Sequence, residues 1–273
     1  MKKKQLIIRN LRAIKGRAYP RIIAANREYS WVIADVVLPL LSVIAYGLLY
    51  RYLGASKDFL GFAVLGGAMS AFWLNVLWDM ASQLYWERMS GNLQLYIISP
   101  ISLMSILFGM SIGGMFSTTL RALATLIVGT IIFKLDFSFI NIPLLILVFI
   151  LTLSALYGLG MTLASLYLIW GREAWHLSEF FQEPVYLVSG MYFPIKFLGY
   201  IGFFSSIIPL TLGLDGIRQL IFKQGALFGF LNVKVEIIIL SILTVVYLVL
   251  AYYYLKKMEY LARKEGKLTI RWE

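Results

Sequence analysis

The side chains able to do chemistry are few, and most of them stand inside apolar stretches. Arg121 lies in FSTTLRALATLIVG, where a guanidinium surrounded by lipid is costly and by default invites a function. It could attract an anionic substrate or a lipid phosphate, pair with a structural partner, or snorkel to the outer headgroups. About 18 residues at 1.5 Å rise put it roughly 27 Å from the start of its stretch. Asp79, in NVLWDMASQ, is either a polar helix end or a carboxylate facing a cationic substrate. Glu179 and Glu183 share one helical face, lining an inner vestibule or gate or simply solvating a helix entrance. Asp215 and Arg218, three residues apart, are expected to form a local pair. Glu87 and Arg88 are expected to face water in a short loop.

No enzyme centre assembles from this set. There is no cysteine and a single histidine, His176, so thiolate catalysis, disulfides and zinc–thiolate sites are excluded. The fragment Asp215-Gly216-Ile217-Arg218 superficially resembles the acidic motif of alcohol phosphatidyltransferases. That chemistry needs further aspartates to hold a divalent metal, and no Asp follows Asp215.

The elements that must position these residues are dictated by composition. Of 273 residues, 60% are hydrophobic and 14% charged, against about 45–50% and 25% in soluble domains. Lipid must be the solvent for much of this surface. Nine of the 25 Lys and Arg lie in the first 27 residues, and six more from Lys256 onward. Basic ends around an apolar middle fit a membrane orientation and anionic headgroups rather than nucleic acid. The opening MKKKQLIIRNLRAIKGR is too charged for a signal-peptide core and is read as part of the mature protein.

Stretches long enough to cross a bilayer lie near Trp31–Tyr50, Phe59–Leu84, Leu103–Phe133, Pro143–Ile169 and Val235–Leu255. A further span is expected from Leu177–Glu183 to Phe193, ending at Pro194. Phe197–Gly213 is apolar but interrupted by Gly199, Gly202, Pro209 and Gly213. Six spans with a cytoplasmic N-terminus place 17 Lys and Arg inside, Arg88 and Arg172 among them, and seven outside; seven spans give 14 and ten. Six spans are therefore predicted, with Phe197–Gly213 an outer re-entrant hairpin covered by protein. Leu6, Leu11 and Ile14, then Ile22, Ala25 and Tyr29, describe an amphipathic interfacial helix, with a mobile basic tail as the alternative. Gly109 and Gly113 form a small-residue motif suited to helix packing within the subunit or between two copies. Trp31, Tyr46, Tyr50, Trp78, Tyr85, Trp86 and Trp170 suit interfacial belts or glycan stacking. The fold class is all-α integral membrane, in one domain over residues 1–273: an interfacial segment 1–30, a six-span core 31–256 and a basic cytoplasmic tail 257–273.

Three segments carry a resemblance. Glu87-Arg88-x-x-Gly91-x-Leu93-x-Leu95, followed by Ser99-Pro100-Ile101, resembles the cytoplasmic loop of ABC-2 type exporter permeases. Ser189-Gly190-Met191-Tyr192-Phe193-Pro194, Ile208-Pro209-Leu210-Thr211 and Leu214-Asp215-Gly216-Ile217-Arg218 resemble that family's Pro-bearing end of span five and its re-entrant helices. Met258–Gly266 is similar to the tail of drug-export members. The resemblance implies that Glu87, Arg88, Gly91, Leu93 and Leu95 form a coupling helix touching an ATPase subunit. It also implies a hairpin built on Pro194, Pro209, Asp215 and Arg218, and a complex of two permeases, identical or homologous, with two ATPases. No G-x-x-x-x-G-K-[ST] loop occurs, so ATP and Mg are expected on the separate nucleotide-binding subunit, with no cofactor on this chain. Export from the cell through the plasma membrane is the implied function. The cargo is a drug, antibiotic or lipid-like molecule, or else a polysaccharide or lipid-linked glycan.

Overall fold

The computed structural model describes residues 2–25, 27, 29–170 and 174–264. The expected inner residue Arg172 and the tail from Glu265 onward lie outside the described residues, as does the side chain of Trp31.

Every regular element among the described residues is helical. The chain begins with α1 (Lys2–Ala25), α2 (Tyr29–Tyr52) and α3 (Lys57–Leu74). A single wide turn of π-helix, Asn75–Met80, then leads through Ser82 to α4 (Gln83–Met89) and α5 (Asn92–Ile98). Two long apolar helices follow, α6 (Leu103–Phe133) and α7 (Ile142–Trp170), and then α8 (Ala174–Val188). Beyond a tight turn at Ser189–Pro194 come α9 (Tyr200–Ser205), α10 (Pro209–Ile221) and the closing α11 (Val233–Lys264).

Five helical stretches are long and apolar enough to cross a membrane: Val32–Tyr52, Lys57–Met89, Leu103–Phe133, Ile142–Leu168 and Val233–Lys264. They fall where hydropathy places five of the expected spans. α8 has 15 residues, about 22 Å at helical rise, and contains Pro184. That is shorter than the roughly 30 Å hydrocarbon core.

Helix ends follow local chemistry. Ser102, extended after Pro100, precedes α6; Lys134 closes it in the left-handed conformation, with the Leu135 amide bonded to the Thr130 carbonyl at 3.2 Å. Pro209 opens α10, where its missing amide leaves no helical bond unmade. Within the apolar stretch Phe197–Gly213 the backbone breaks at Gly199 (φ 53°) and before Pro209. Gly202 and Gly213, expected as interruptions, instead lie inside α9 and α10. Gly213 is there for packing, because a Cβ would sit 2.3 Å from Thr152 of α7.

α3 is the centre of the bundle and is buried along most of its length. It runs antiparallel to α2 and α6, with Val43 against Gly67, Val64 against Gly129 and Asn75 against Gly114. Where α3 meets the turn after α8, a Cβ on Gly66 would lie 1.6 Å from the Met191 carbonyl.

α1 is helical as expected and lies against the bundle. Leu6 and Leu11 point outward, and the face carrying Ile14, Arg17, Ala18 and Arg21 packs lengthwise on α6. Asn10 accepts the Ser102 amide at one end, and the Ala25 carbonyl accepts from Arg121 at the other. Gly109 and Gly113 make this seam, since a Cβ at either would lie within 3 Å of Ile14, Arg17 or Arg21. The small-residue motif thus packs within the subunit.

Candidate functional site

Two clusters of polar side chains occupy the α4–α5 end of the bundle and the level just inside it. The first is built on Glu87. Its carboxylate is buried rather than facing water, correcting the expectation from the loop's composition. It is ion-paired with Arg17 of α1 and accepts from the Tyr96 hydroxyl of α5 at 2.9 Å and from Gln83 at 3.3 Å. The Arg17 guanidinium also lies over the Tyr96 ring, 5.4 Å from its centroid. Burial and the neighbouring Glu87 carboxylate push the Tyr96 hydroxyl pKa up, so it stays a donor. Glu87 therefore clasps α1, α4 and α5 together.

Gly91 provides the turn between α4 and α5 at φ 77°, a conformation that favours glycine. Arg88 turns toward α7, donating to the Leu168 carbonyl at 3.4 Å and lying over the Tyr85 ring. Leu93 is fully buried, whereas Leu95 is 60% exposed. The expected coupling residues thus divide: Glu87 and Leu93 hold the element in place, and Leu95 faces outward. Three apolar neighbours also face outward: Trp86, expected as an interfacial aromatic, and Met89 and Ile98, which the sequence reading did not single out.

The second cluster lines a cavity of about 560 Å³ among α1, α2, α6 and the π-helical turn. Arg121 and Asp79, expected separately as path residues, both line it. Arg121 does not reach toward headgroups alone: it is ion-paired with Asp35 and donates to the Ala25 carbonyl at 2.9 Å. Asp79 accepts from Asn75, and Arg21 stands 3.8 Å away while bonding Gln83. Asn75 in turn accepts from Tyr157 of α7 at 2.7 Å. The π turn carries Asn75, Trp78 and Asp79 on this wall. Glu179 and Glu183 do not line the cavity; both are exposed on α8, Glu179 within 3.5 Å of His176 and Glu183 bonded to Gln182.

The opposite end of the bundle is organised by Arg218 and Asp215, through separate partners rather than as the expected pair. Buried Arg218 donates to the carbonyls of Gly190, Met191, Phe193 and Phe62, between 2.6 and 3.2 Å. Asp215 accepts from the Phe230 amide at 2.8 Å and from Gln219 at 2.9 Å, beside the buried Glu236. Pro194 closes the turn whose carbonyls Arg218 binds, and Pro209 starts the helix that carries Arg218. Two segments distant in sequence, Ser189–Pro194 and Leu214–Arg218, are thereby joined by one guanidinium.

The sequence pattern of the ABC-2 type transporter family matches residues 21–222. The chain belongs to the ABC-2 type transporter family. That match spans the cavity, the Glu87 side of the clasp and the Arg218 turn, and supports a membrane transport permease. No curated protein matches the chain.

Sequence reading missed Arg17, Arg21, Asp35, Asn75 and Tyr96. Asp35 was the one with a signal: it is the sole acid in the apolar run from Trp31 to Tyr50 and needed a cation as partner.

Proposed function

We propose that this permease is the membrane half of an ATP-driven exporter whose ATPase subunit docks on α4 and α5. The observation that carries the reading is the outward row Trp86, Met89, Leu95 and Ile98, four large apolar side chains fixed above the Glu87 clasp. An exposed apolar patch on a braced element suits a protein partner. The same end of the bundle carries the basic start of α1 and the basic end of α11, so it is assigned to the cytoplasm, with both termini there. α8 and the Ser189–Pro194 turn then make the fifth of six spans in the plasma membrane, and α9–α10 form the outer re-entrant hairpin.

In this mechanism ATP and Mg bind the partner, whose closure displaces α4–α5. Two permease copies or homologues then alternate between closed and open arrangements. The displacement has an effect only to the extent that the ATPase binds those states differently. The cargo is a hydrophobic or amphipathic small molecule. Coexpression with a candidate ATPase tests the reading: Leu95→Asp with Ile98→Asp should abolish copurification and cargo-stimulated hydrolysis. Unchanged assembly and stimulation would reject this docking surface. An accessibility tag after Gly225 should be labelled from outside; labelling only from the cytosol would reject the six-span topology.

A further inference from the structure

The cavity beside Arg121 is incompletely satisfied by the protein itself. Among the described residues, the Arg121 Nε and the Ser117 hydroxyl are buried without a hydrogen-bond partner, although Ser117 is only 2% exposed and both residues line the cavity. Such groups are costly to leave unpaired. On the facing wall the Asp79 side chain is 55% exposed, with Arg21 at 3.8 Å, long for an ion pair, and the Trp78 indole next to it.

The lining is ambipolar. Its described charges are two guanidiniums, Arg21 and Arg121, and two carboxylates, Asp35 and Asp79. A plain anion reaching Arg121 would meet Asp35, and a plain cation at Asp79 would meet Arg21. A ligand carrying both charges a few ångströms apart avoids both repulsions. Depth points to the source of such a ligand. Along α2, Asp35 lies 17 residues from Tyr52, about 25 Å, and along α3 and its π turn Asp79 lies 22 residues from Lys57, about 33 Å. With Leu53–Ser56 at one membrane surface, a hydrocarbon core of about 30 Å brings the cavity to the headgroup layer of the other leaflet. Phe116, Leu120, Leu123 and Ile127 continue from it as an exposed apolar stripe along α6, suited to acyl chains.

We infer that this cavity binds the zwitterionic phosphate–ammonium headgroup of a membrane phospholipid. The phosphate oxygens accept from Arg121 Nε and the Ser117 hydroxyl, and the ammonium donates to Asp79 and rests on the Trp78 face. The volume of about 560 Å³ is that of a small-ligand pocket. The inference needs only a membrane-embedded chain and stands whether that lipid is cargo or a resident.

The test is native mass spectrometry of the full chain, delipidated in detergent and offered equimolar phosphatidylethanolamine and phosphatidylglycerol with identical acyl chains. Phosphatidylethanolamine should be retained about tenfold over phosphatidylglycerol, as expected for one additional charge-assisted contact. Asp79→Asn should reduce that ratio at least about threefold, whereas Ser117→Ala should lower the retention of both lipids at least about threefold and leave their ratio unchanged. Lys234→Gln, exposed at the far end of the bundle, should leave it unchanged. Equal retention of the two lipids by the native chain would overturn the inference. So would undiminished retention of both lipids in Ser117→Ala, a truncation small enough to leave the fold intact.

Discussion

Replacing Glu87 with Gln tests whether the loop is braced from within or merely presented to a partner. Its side chain is 7% exposed and that of Arg17 is 27% exposed. Removing one member of a fully buried pair costs about 3–5 kcal/mol, and exposed pairs contribute about 0–1 kcal/mol. With one group nearly dry and the other partly hydrated, the structure supports about 2 kcal/mol for release of α1. Chymotrypsin cleavage after Tyr19, which is exposed on α1, reports opening of that helix. While reclosing outpaces cleavage, 2 kcal/mol corresponds to about a thirtyfold faster cut. Arg17→Gln should do the same. The double variant should cleave at about the rate of either single variant, because both remove one interaction. If the two effects multiply instead, the side chains act independently and the clasp does not exist as described.

Gly66→Ala should destabilise the protein by about 3 kcal/mol or more, since the new Cβ meets the unyielding Met191 carbonyl. Gly16→Ala, open around its Cβ, should stabilise α1 by about 0.5–1 kcal/mol; paired melting curves in one detergent check both. Arg218→Lys should cost about 1–3 kcal/mol and expose Ser189–Pro194 to proteolysis, because three ammonium donors cannot serve four carbonyls. Asp35→Asn should leave Arg121 uncompensated and lower stability by about 2 kcal/mol, and Asp35→Asn with Arg121→Gln should recover part of it in the same melts.

The spans were legible because lipid demands long apolar runs, and runs such as Leu103–Phe133 announce themselves by length alone. The backbone breaks between α8 and α10 were legible as turn chemistry, with Pro209 at a helix start and glycine at positive φ in Gly190 and Gly199. The polar partnerships were not. Glu87 reads as a loop carboxylate because its partner Arg17 is 70 residues away and sits among cations that all resemble a solvated tail. Asp215 and Arg218 suggested a pair from local spacing, but the carbonyls that Arg218 binds belong to a turn more than 20 residues earlier, and a backbone acceptor leaves no mark in composition. The cavity was half visible: Arg121 and Asp79 each stood out as charges in apolar surroundings, yet their convergence depends on how α1, α3 and α6 pack.

That seam has a mechanical meaning. Stitched through Gly109 and Gly113 and tied at Asn10–Ser102 and Ala25–Arg121, α1 and the lower part of α6 are one two-ply rod. Its length from Ser102 to Arg121 is 19 residues, about 28 Å. The Glu87 clasp grips the rod at Arg17, midway between Asn10 and Ala25, and the Arg121–Asp35 pair sits at one end. A tilt of about 5° about the Ser102 end would move the Arg121 end by about 2.5 Å, enough to part a hydrogen bond. A lever of this kind would open or shut the charged cavity in step with whatever presses on α4 and α5, with no helix having to bend or unwind.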